Sequence, residues 1–486
     1  MRYHGVMELD ADICYRAVRS RDPRFDGRFF TAVRTTGIYC RPVCPAVTPR
    51  RANVDFYACA AAAEQAGFRP CLRCRPETAP GTPAWSGTGA TVTRALRLID
   101  TGYLDDHAVA DLADALGIGP RHLDRLFAGH LGTTPLAVAQ TRRAHFARQL
   151  LVNTRWPMAR VAAAAGFGSV RRFNDRMRAV FGRTPGELRA RDGAAATDGA
   201  VYEHRLAYRP PYDWDGLLAY LAGRAVPGVE TAADGVYRRT VRHAGGDGWL
   251  EVAPVPGRDE LRLRLALPPP TGIAGLVGRV RRMFDGDAEP DLIAAHLGAD
   301  PVLAPLVTAR PGLRLPCGWD PFETAVRTII GQQVSVAAAT TVTGRLADRL
   351  GDVVATPHAG LTRLFPTPAR VAAADLAGLG LTTRRAATVR AFAAAVAAGE
   401  LRLEAPRGVD DFVARFGALP GIGPWTANYV AMRGLGEPDA FPAGDLGLAR
   451  ALPDHDLKTR AEAWRPWRAY AALHLWAGPP EEDPRA

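Results

Sequence analysis

Four cysteines stand at two short spacings, Cys40-x3-Cys44 and, 26 intervening residues later, Cys71-x2-Cys74. Each pair is close enough in sequence for one turn to aim both sulfurs at a common point, and four thiolates suit a tetrahedral Zn2+. The chain shows no secretory signal and has many segments of buried type, so disulfides are the poorer reading. A purely structural zinc knuckle would use the same four residues. A second candidate for chemistry lies far downstream, in Leu419-Pro-Gly-Ile-Gly-Pro-Trp-Thr-Ala-Asn-Tyr429, followed some twenty residues later by a lone Asp445 in Phe441-Pro-Ala-Gly-Asp-Leu-Gly. A Pro-Gly-x-Gly hairpin between helices exposes bare amides and a helix N-terminus, a geometry suited to a DNA phosphate.

These residues sit in a chain of 486 residues with a net charge of +11. That length exceeds one ordinary core and predicts three or four domains. The charge is uneven: residues 1–190 hold 28 arginines against 16 acidic residues, so the rest of the chain is close to neutral. A basic first two fifths is the footprint expected for phosphate binding. Lys458 is the only lysine, so the arginine count also reflects a compositional bias. No apolar run approaches the ~20 residues of a membrane helix. Cys14, Cys59 and Cys317 stand alone in apolar surroundings and read as buried, inert thiols. Cysteine usage predicts a reducing, cytoplasmic setting.

Two aperiodic, turn-rich stretches, Pro80–Gly89 and Asp192–Gly199, read as linkers. Between them, helical spacing over Asp106–Leu116, a Gly117-Ile-Gly119 turn and Pro120 opening the next helix make a helix-turn-helix. The pattern recurs as Met158–Ala165, Gly166-Phe-Gly168 and Val170–Phe181. Residues 201–310 change character. Stretches from Tyr202, Gly235 and Glu260 alternate with period two, and helical segments lie near Trp214–Arg224 and Ile273–Phe284. Together they predict an α+β domain with an antiparallel sheet and a supporting role. From Trp319 onward the chain reads as all-helical.

The first cysteine pair lies in Arg34-Thr-Thr-Gly-Ile-Tyr-Cys40-Arg-Pro-Val-Cys44-Pro, the second in Gly67-Phe-Arg-Pro-Cys71-Leu-Arg-Cys74-Arg-Pro. Residues between and beside the ligands make this stretch, about 7–80, resemble the amino-terminal domain of the bacterial Ada proteins, methylphosphotriester-DNA methyltransferases of the adaptive response. The resemblance implies that Cys40 is both zinc ligand and nucleophile. Four thiolates around one dication leave net negative charge, so a sulfur stays nucleophilic. It also implies that Thr36 and Arg73 lie near DNA phosphate, whereas Val47 stands where the family carries a basic residue. The two helix-turn-helix units, with Arg160-Val-Ala-Ala-Ala-Ala-Gly-Phe-Gly-Ser before the second recognition helix and Phe181-Gly-Arg-Thr-Pro-Gly after it, resemble the AraC-type DNA-binding domain over 91–191. The expected DNA contacts are Arg121, His122 and Arg125 on one recognition helix and Arg171, Arg172, Asn174 and Arg176 on the other. Ada proteins join these two modules in this order.

The hairpin and Asp445 together resemble the helix-hairpin-helix DNA glycosylase superfamily. Trp464-Arg-Pro-Trp-Arg-Ala-Tyr-Ala-Ala-Leu-His-Leu-Trp476 and Gly331-Gln-Gln-Val-Ser-Val-Ala extend the likeness, over about 201–478, to AlkA-type 3-methyladenine glycosylase II. This implies catalysis by Asp445, a base pocket of Trp425, Tyr429 and Trp476, and phosphate contacts at Gly421 and Gly423. It implies further a monovalent cation held by the carbonyls of Gly417, Leu419 and Ile422, and Gln333 as the wedge into the DNA gap, in place of the family's leucine. Leu446 follows the aspartate where the family has an aromatic. Such a site has physical sense. A purine alkylated at N3 or N7 is cationic and a good leaving group, so the enzyme must flip it, hold it against electron-rich rings and stabilise an oxocarbenium-like sugar.

Absences narrow the class. Lyase-competent relatives carry a Schiff-base lysine where this chain has Trp425, and no cysteine follows Cys317 to build an iron–sulfur loop. The active-site motif of O6-methylguanine methyltransferases is missing. The expected fold is therefore multidomain and mainly α with α+β parts: a zinc methyl-acceptor domain (1–82), a double helix-turn-helix (91–191), an AlkA-type N-terminal α+β domain (201–310) and a helical glycosylase domain (311–486). The expected protein acts on double-stranded DNA, both damaged and operator DNA, with RNA polymerase as a further partner. It would take a methyl group on Cys40 and excise alkylated purines without lyase action. Two rivals stay open: a regulator whose glycosylase region only binds damage, and a zinc-thiolate redox sensor.

Overall fold

The computed structural model describes residues 10–80, 90–192, 201–243, 246–267, 273–404, 407–453 and 456–478. The interiors of the two expected linkers, 81–89 and 193–199, lie outside the described residues.

Helix α1 (Ala11–Ser20) opens the cysteine-rich module, capped by the Asp10 carboxylate on the amides of Asp12 and Ile13. Strands β1 (Phe30–Val33), β2 (Ile38–Cys40), β3 (Val54–Tyr57) and β4 (Arg69–Pro70), with α2 (Ala60–Gln65) between the last two, complete it. The strand order is β3-β1-β2-β4, antiparallel except for the β2/β4 pair. This pairing carries the two cysteine pairs to adjacent strand ends. Tyr39 is fully buried and meets Phe30 edge-on at 5.7 Å.

The second module is helical: α3 (Ala90–Asp100), α4 (Tyr103–Asp106), α5 (Val109–Ala115), α6 (Pro120–Leu131), α7 (Pro135–Asn153), α8 (Met158–Ala164), α9 (Val170–Phe181) and α10 (Pro185–Asp192). Pro120 and Pro185 stand at first-turn positions, where a missing N–H costs nothing. Gly132 and Gly182 end α6 and α9 in the left-handed conformation that favours glycine. The apolar faces of α5 and α6 share one core with Cys59, Ala61 and Ala62 of the first module.

Strands β5 (Val201–Ala207), β6 (Glu230–Ala233), β7 (Val236–Val241), β8 (Gly248–Pro254) and β9 (Glu260–Ala266) form an antiparallel sheet in the order β5-β9-β8-β7-β6. Helices α11 (Trp214–Ala222) and α12 (Ile273–Met283) belong to the same region. Strand β8 escapes detection from sequence because nearly every residue in it is buried, which erases the alternation. Phe173, Phe181 and Leu150 pack in one core with Tyr202, Leu206 and Leu250, so the second module and the sheet are joined through side chains.

The remaining helices are α13 (Pro290–Leu297), α14 (Leu303–Ala309), α15 (Pro321–Ile330), α16 (Val336–Leu350), α17 (Pro368–Ala373), α18 (Thr383–Ala397), α19 (Val409–Gly417), α20 (Pro424–Leu435), α21 (Leu446–Ala451), α22 (Leu457–Arg460) and α23 (Arg468–Ala477). They bury one apolar core, which Ile293, Leu297, Leu303 and Val307 of α13 and α14 also enter. No helix among the described residues is long and apolar enough to cross a membrane.

Candidate functional site

The four cysteine sulfurs lie within 4.8 Å of one another. Strand β2 ends at Cys40, a turn closed by Cys44 N–H donating to Arg41 O brings the second sulfur back, and Cys71 N–H donates to Tyr39 O at 2.9 Å. Zinc–sulfur bonds of about 2.3 Å place tetrahedral sulfurs about 3.8 Å apart, so the cluster fits Zn2+. Such close thiols cannot all ionise unaided. Hydrogen bonding with its neighbours, Cys40 first, draws Cys44 down to about 7, while the neighbouring sulfurs push the Cys40 and Cys74 thiols up. A dication is what lets all four become thiolates. Cys71 and Cys74 are buried, whereas Cys40 is partly exposed.

The loop around the cluster is braced by Arg41, a residue that the spacing of the cysteines does not single out. Its N–H points at Cys74 Sγ at 3.4 Å, and its guanidinium pairs with the buried Asp26 and donates to Thr78 Oγ1 at 2.7 Å. Thr36 and Arg73 are exposed, and Val47 is 94% exposed.

In the helical region, Asp445 caps α21. Its Oδ1 accepts from the amides of Gly447 and Leu448 at 2.8 and 3.1 Å and from Trp476 Nε1 at 2.8 Å, while Oδ2 accepts from Trp425 Nε1 at 2.9 Å. Trp425 stacks on Tyr429 with centroids 5.1 Å apart and planes 18° from parallel, and Tyr429 lies 6.3 Å from Trp476. The three aromatics and the carboxylate foreseen from sequence thus come together in one half-buried cluster. The indoles do more than offer faces: both hold the carboxylate. Gly447 permits this, because a Cβ there would lie 3.0 Å from the Trp476 ring and from Asp445 Oδ1.

The hairpin before α20 turns at Gly421, whose φ of +83° lies in the left-handed region. A Cβ at this position would lie 2.4 Å from Thr388 Oγ1, so the close approach excludes larger residues as well. Gly423 stands open, Gly417 ends α19, and the Leu419 carbonyl accepts from Ile422 N–H at 3.1 Å. Gln333 is exposed with φ of +57°, between the hairpin-facing Gln332 and the exposed Val334. On α6, Arg121, His122 and Arg125 are exposed, and Arg125 donates to His122 Nδ1 at 2.7 Å. On α9, Arg171 and Arg172 are exposed and Asn174 half-buried. Arg176 is different. It points back into the protein, where it pairs with Glu64 at 3.0 Å.

The sequence divides among four family models: the metal binding domain of Ada at residues 13–77, a helix-turn-helix domain at 112–191, the AlkA N-terminal domain at 203–320, and the HhH-GPD superfamily of base excision DNA repair proteins at 326–466. A Mycobacterium tuberculosis protein named "Probable bifunctional transcriptional activator/DNA repair enzyme AlkA" is 44% identical over 482 residues, 97% of each chain. The chain belongs to this family of bifunctional transcriptional activators and DNA repair enzymes. DNA-3-methyladenine glycosylase 2 of Escherichia coli is 37% identical over 56% of this chain and 96% of its own. The E. coli bifunctional transcriptional activator/DNA repair enzyme Ada is 44% identical over 29% of this chain and 39% of its own. Membership makes this a DNA repair protein coupled to transcriptional regulation, with a zinc-binding domain.

Two further residues in contact with the aromatic cluster were missed from sequence. Tyr220, on α11 of the α+β region, places its hydroxyl 3.3 Å from that of Tyr429, so that region adds a side chain to the cluster. The buried Arg433 lies beneath Tyr220, Tyr429 and Trp476, 4.5, 5.8 and 5.5 Å from their ring centroids. Burial pushes the Tyr220 phenol up to about 12; at Tyr429 burial also raises the phenol, but Arg433, the Tyr220 hydroxyl and Arg224 together outweigh it and draw the phenol below its ordinary value. Local sequence gives no sign of Tyr220, because its role arises only when α11 packs beside α20. Arg433 follows Tyr429 by one helical turn, a spacing that could have suggested it.

Proposed function

We propose that the chain repairs alkylated DNA at two separate sites and reports the damage to transcription, through modules spanning 1–82, 91–191, 201–310 and 311–486. The observation that carries the excision half is the Asp445 carboxylate, fixed by two indole N–H groups at an aromatic pocket. Trp425, Tyr429 and Trp476 would hold the flipped cationic base, such as 3-methyladenine or 7-methylguanine, by cation–π attraction. Asp445 would stabilise the positive charge that develops on the sugar as the N-glycosidic bond breaks, and water would complete an abasic site. Gly421 and Gly423 would present hairpin amides to a phosphate beside a monovalent cation on the Gly417, Leu419 and Ile422 carbonyls, and Gln333 would enter the gap. The reaction would stop there, since Trp425 fills the place of a Schiff-base lysine.

In the acceptor half, Cys40 would attack the methyl carbon of a DNA methylphosphotriester. The S–C bond forms, the C–O bond breaks, and a phosphodiester anion leaves. Bound zinc would keep the thiols ionised at neutral pH while the cluster as a whole stays negative. The thioether product is stable, so each chain turns over once. Losing one negative charge beside a basic surface would tighten DNA binding, with Thr36 and Arg73 near phosphate and Arg121, His122, Arg125, Arg171, Arg172 and Asn174 reading the operator. The protein would then recruit RNA polymerase in the cytoplasm. Exposing it to alkylated duplex DNA and scoring both methyl on protein and free base tests the reading. Absence of both products would refute it.

A further inference from the structure

One buried carboxylate serves neither candidate site and ties two modules together. Glu64, on the last turn of α2, accepts from Tyr39 Oη at 3.0 Å and lies 3.1 Å from His145 Nε2 through Oε1. Its Oε2 accepts from Thr141 Oγ1 at 2.8 Å and from the Arg176 guanidinium at 3.0 Å. The Glu64 side chain is 8% exposed. Thr141 and His145 belong to α7 and Arg176 to α9, so one carboxylate joins the first module to two helices of the second. Burial alone would raise its carboxyl, but His145, Thr141 and Arg176 outweigh it and hold the group below its usual range.

The fourth partner gives this node its direction. Tyr39 directly precedes Cys40 on β2, and its carbonyl accepts the Cys71 amide at 2.9 Å. The same residue therefore touches two of the four metal-site cysteines through its backbone and Glu64 through its hydroxyl. At the opposite end, Arg176 is half-buried and turned toward Glu64, whereas Arg171 and Arg172, one turn earlier on α9, are exposed.

We propose that Glu64 is a positioning residue for methyl-dependent DNA recognition: its carboxylate fixes recognition helix α9 against the strand that bears Cys40, so that acceptor and reading head meet DNA as one unit. The proposal rests on the methyl-switch reading above. The hydrogen-bond partners of the Glu64 carboxylate are Tyr39, Thr141, His145 and Arg176 rather than a cysteine of the metal site, and α2 is held independently by Cys59, Ala61 and Ala62 in the shared core. Removing the charge should therefore loosen α9 without dismantling the module.

The test uses the full-length chain and three proteins: wild type, Glu64→Gln and Tyr39→Phe. The probes are a duplex selected from a random pool by methylated wild-type protein and a scrambled duplex of equal length, titrated before and after methylation. Glu64→Gln should keep its zinc content and its methyl uptake on Cys40, yet lose about tenfold of its preference for the selected duplex. Tyr39→Phe keeps the clamp on α9 but cuts its tie to the acceptor strand, so its unmethylated affinity should match wild type while most of the methylation gain disappears. A merely structural Glu64 would lower the melting temperature and leave the preference ratio alone; that result, or a wild-type methylation gain in Tyr39→Phe, overturns the proposal. Wild type lacking any methylation gain refutes instead the switch reading beneath it, and the Glu64→Gln preference ratio still decides whether α9 is positioned by this carboxylate.

Discussion

Replacing Asp445 by asparagine separates the charge of the site from its hydrogen bonds. Asparagine caps helices as well as aspartate does, so its Oδ1 can keep the Gly447 and Leu448 amides and Trp476 Nε1. The new amide nitrogen takes the place of Oδ2 and faces Trp425 Nε1, donor to donor. That orphaned indole N–H costs about 1–3 kcal/mol of stability. The catalytic loss is larger. A carboxylate about 4 Å from a developing sugar cation contributes about 4 kcal/mol at an effective dielectric of about 20, or roughly 10³-fold in rate. Single-turnover release of base from methylated duplex DNA should therefore slow about a thousandfold in Asp445→Asn, while binding to abasic duplex changes by less than about threefold. Trp425→Phe retains a ring and loses one bond to the carboxylate, and should slow release about 10- to 100-fold. Wild-type release in Asp445→Asn would refute the electrostatic reasoning outright, and an equal collapse of abasic binding would show that folding, not charge, was lost.

Cys40→Ala should abolish methyl uptake while Cys44→Ala mainly loses zinc, as read by labelled methyl transfer and metal analysis; label on Cys71 would reassign the nucleophile. The methylation-dependent gain in DNA affinity should shrink as salt rises, and equal affinities of methylated and unmethylated protein at low salt would remove the electrostatic switch. Borohydride should trap no protein–DNA adduct, because the chain's single lysine, Lys458, stands in α22 away from the hairpin sequence; an adduct within 311–486 would require a lyase mechanism. Burial depresses His204 and His474 to about 3 and 4, below the ordinary value of 6.5. Their protonation favours the unfolded chain, so stability should fall on acidification from about pH 6.5 towards 4, by on the order of 1 kcal/mol per pH unit for each residue, and denaturation midpoints that are flat across that window would contradict it.

Parts of both candidate sites were legible because they consist of residue types at fixed local spacings. The cysteine pairs need only two turns, and Trp425 and Tyr429 lie one helical turn apart on α20. Asp445 and Trp476 are remote in sequence, and the family resemblance brought them in. Recognition helix α9 begins and ends where its glycine turns and apolar spacing predict. What stayed hidden came from packing between modules. Linkers at Pro80–Gly89 and Asp192–Gly199 suggest independent units, yet Ala61 and Ala62 lie in the core of α5 and α6, and Phe173 lies in the core of the sheet. Tyr220 reaches the hydroxyl of Tyr429 from a region that reads as mere support. Arg176 looks like its arginine neighbours on α9 until Glu64, 112 positions away, turns it inward. No local periodicity encodes such contacts.

One chain is proposed to carry both repair activities at two separate centres. Incubating the full-length protein with duplex DNA alkylated by a labelled methylating agent, then resolving label on protein from label in free base, tests this in a single experiment. The expected result is one methyl group per chain, located on Cys40 by peptide mass spectrometry, together with multiple-turnover release of methylated purine. Cys40→Ala should lose only the first product and Asp445→Asn only the second. Loss of both products in either variant, or free base released by Asp445→Asn at the wild-type rate, would contradict it.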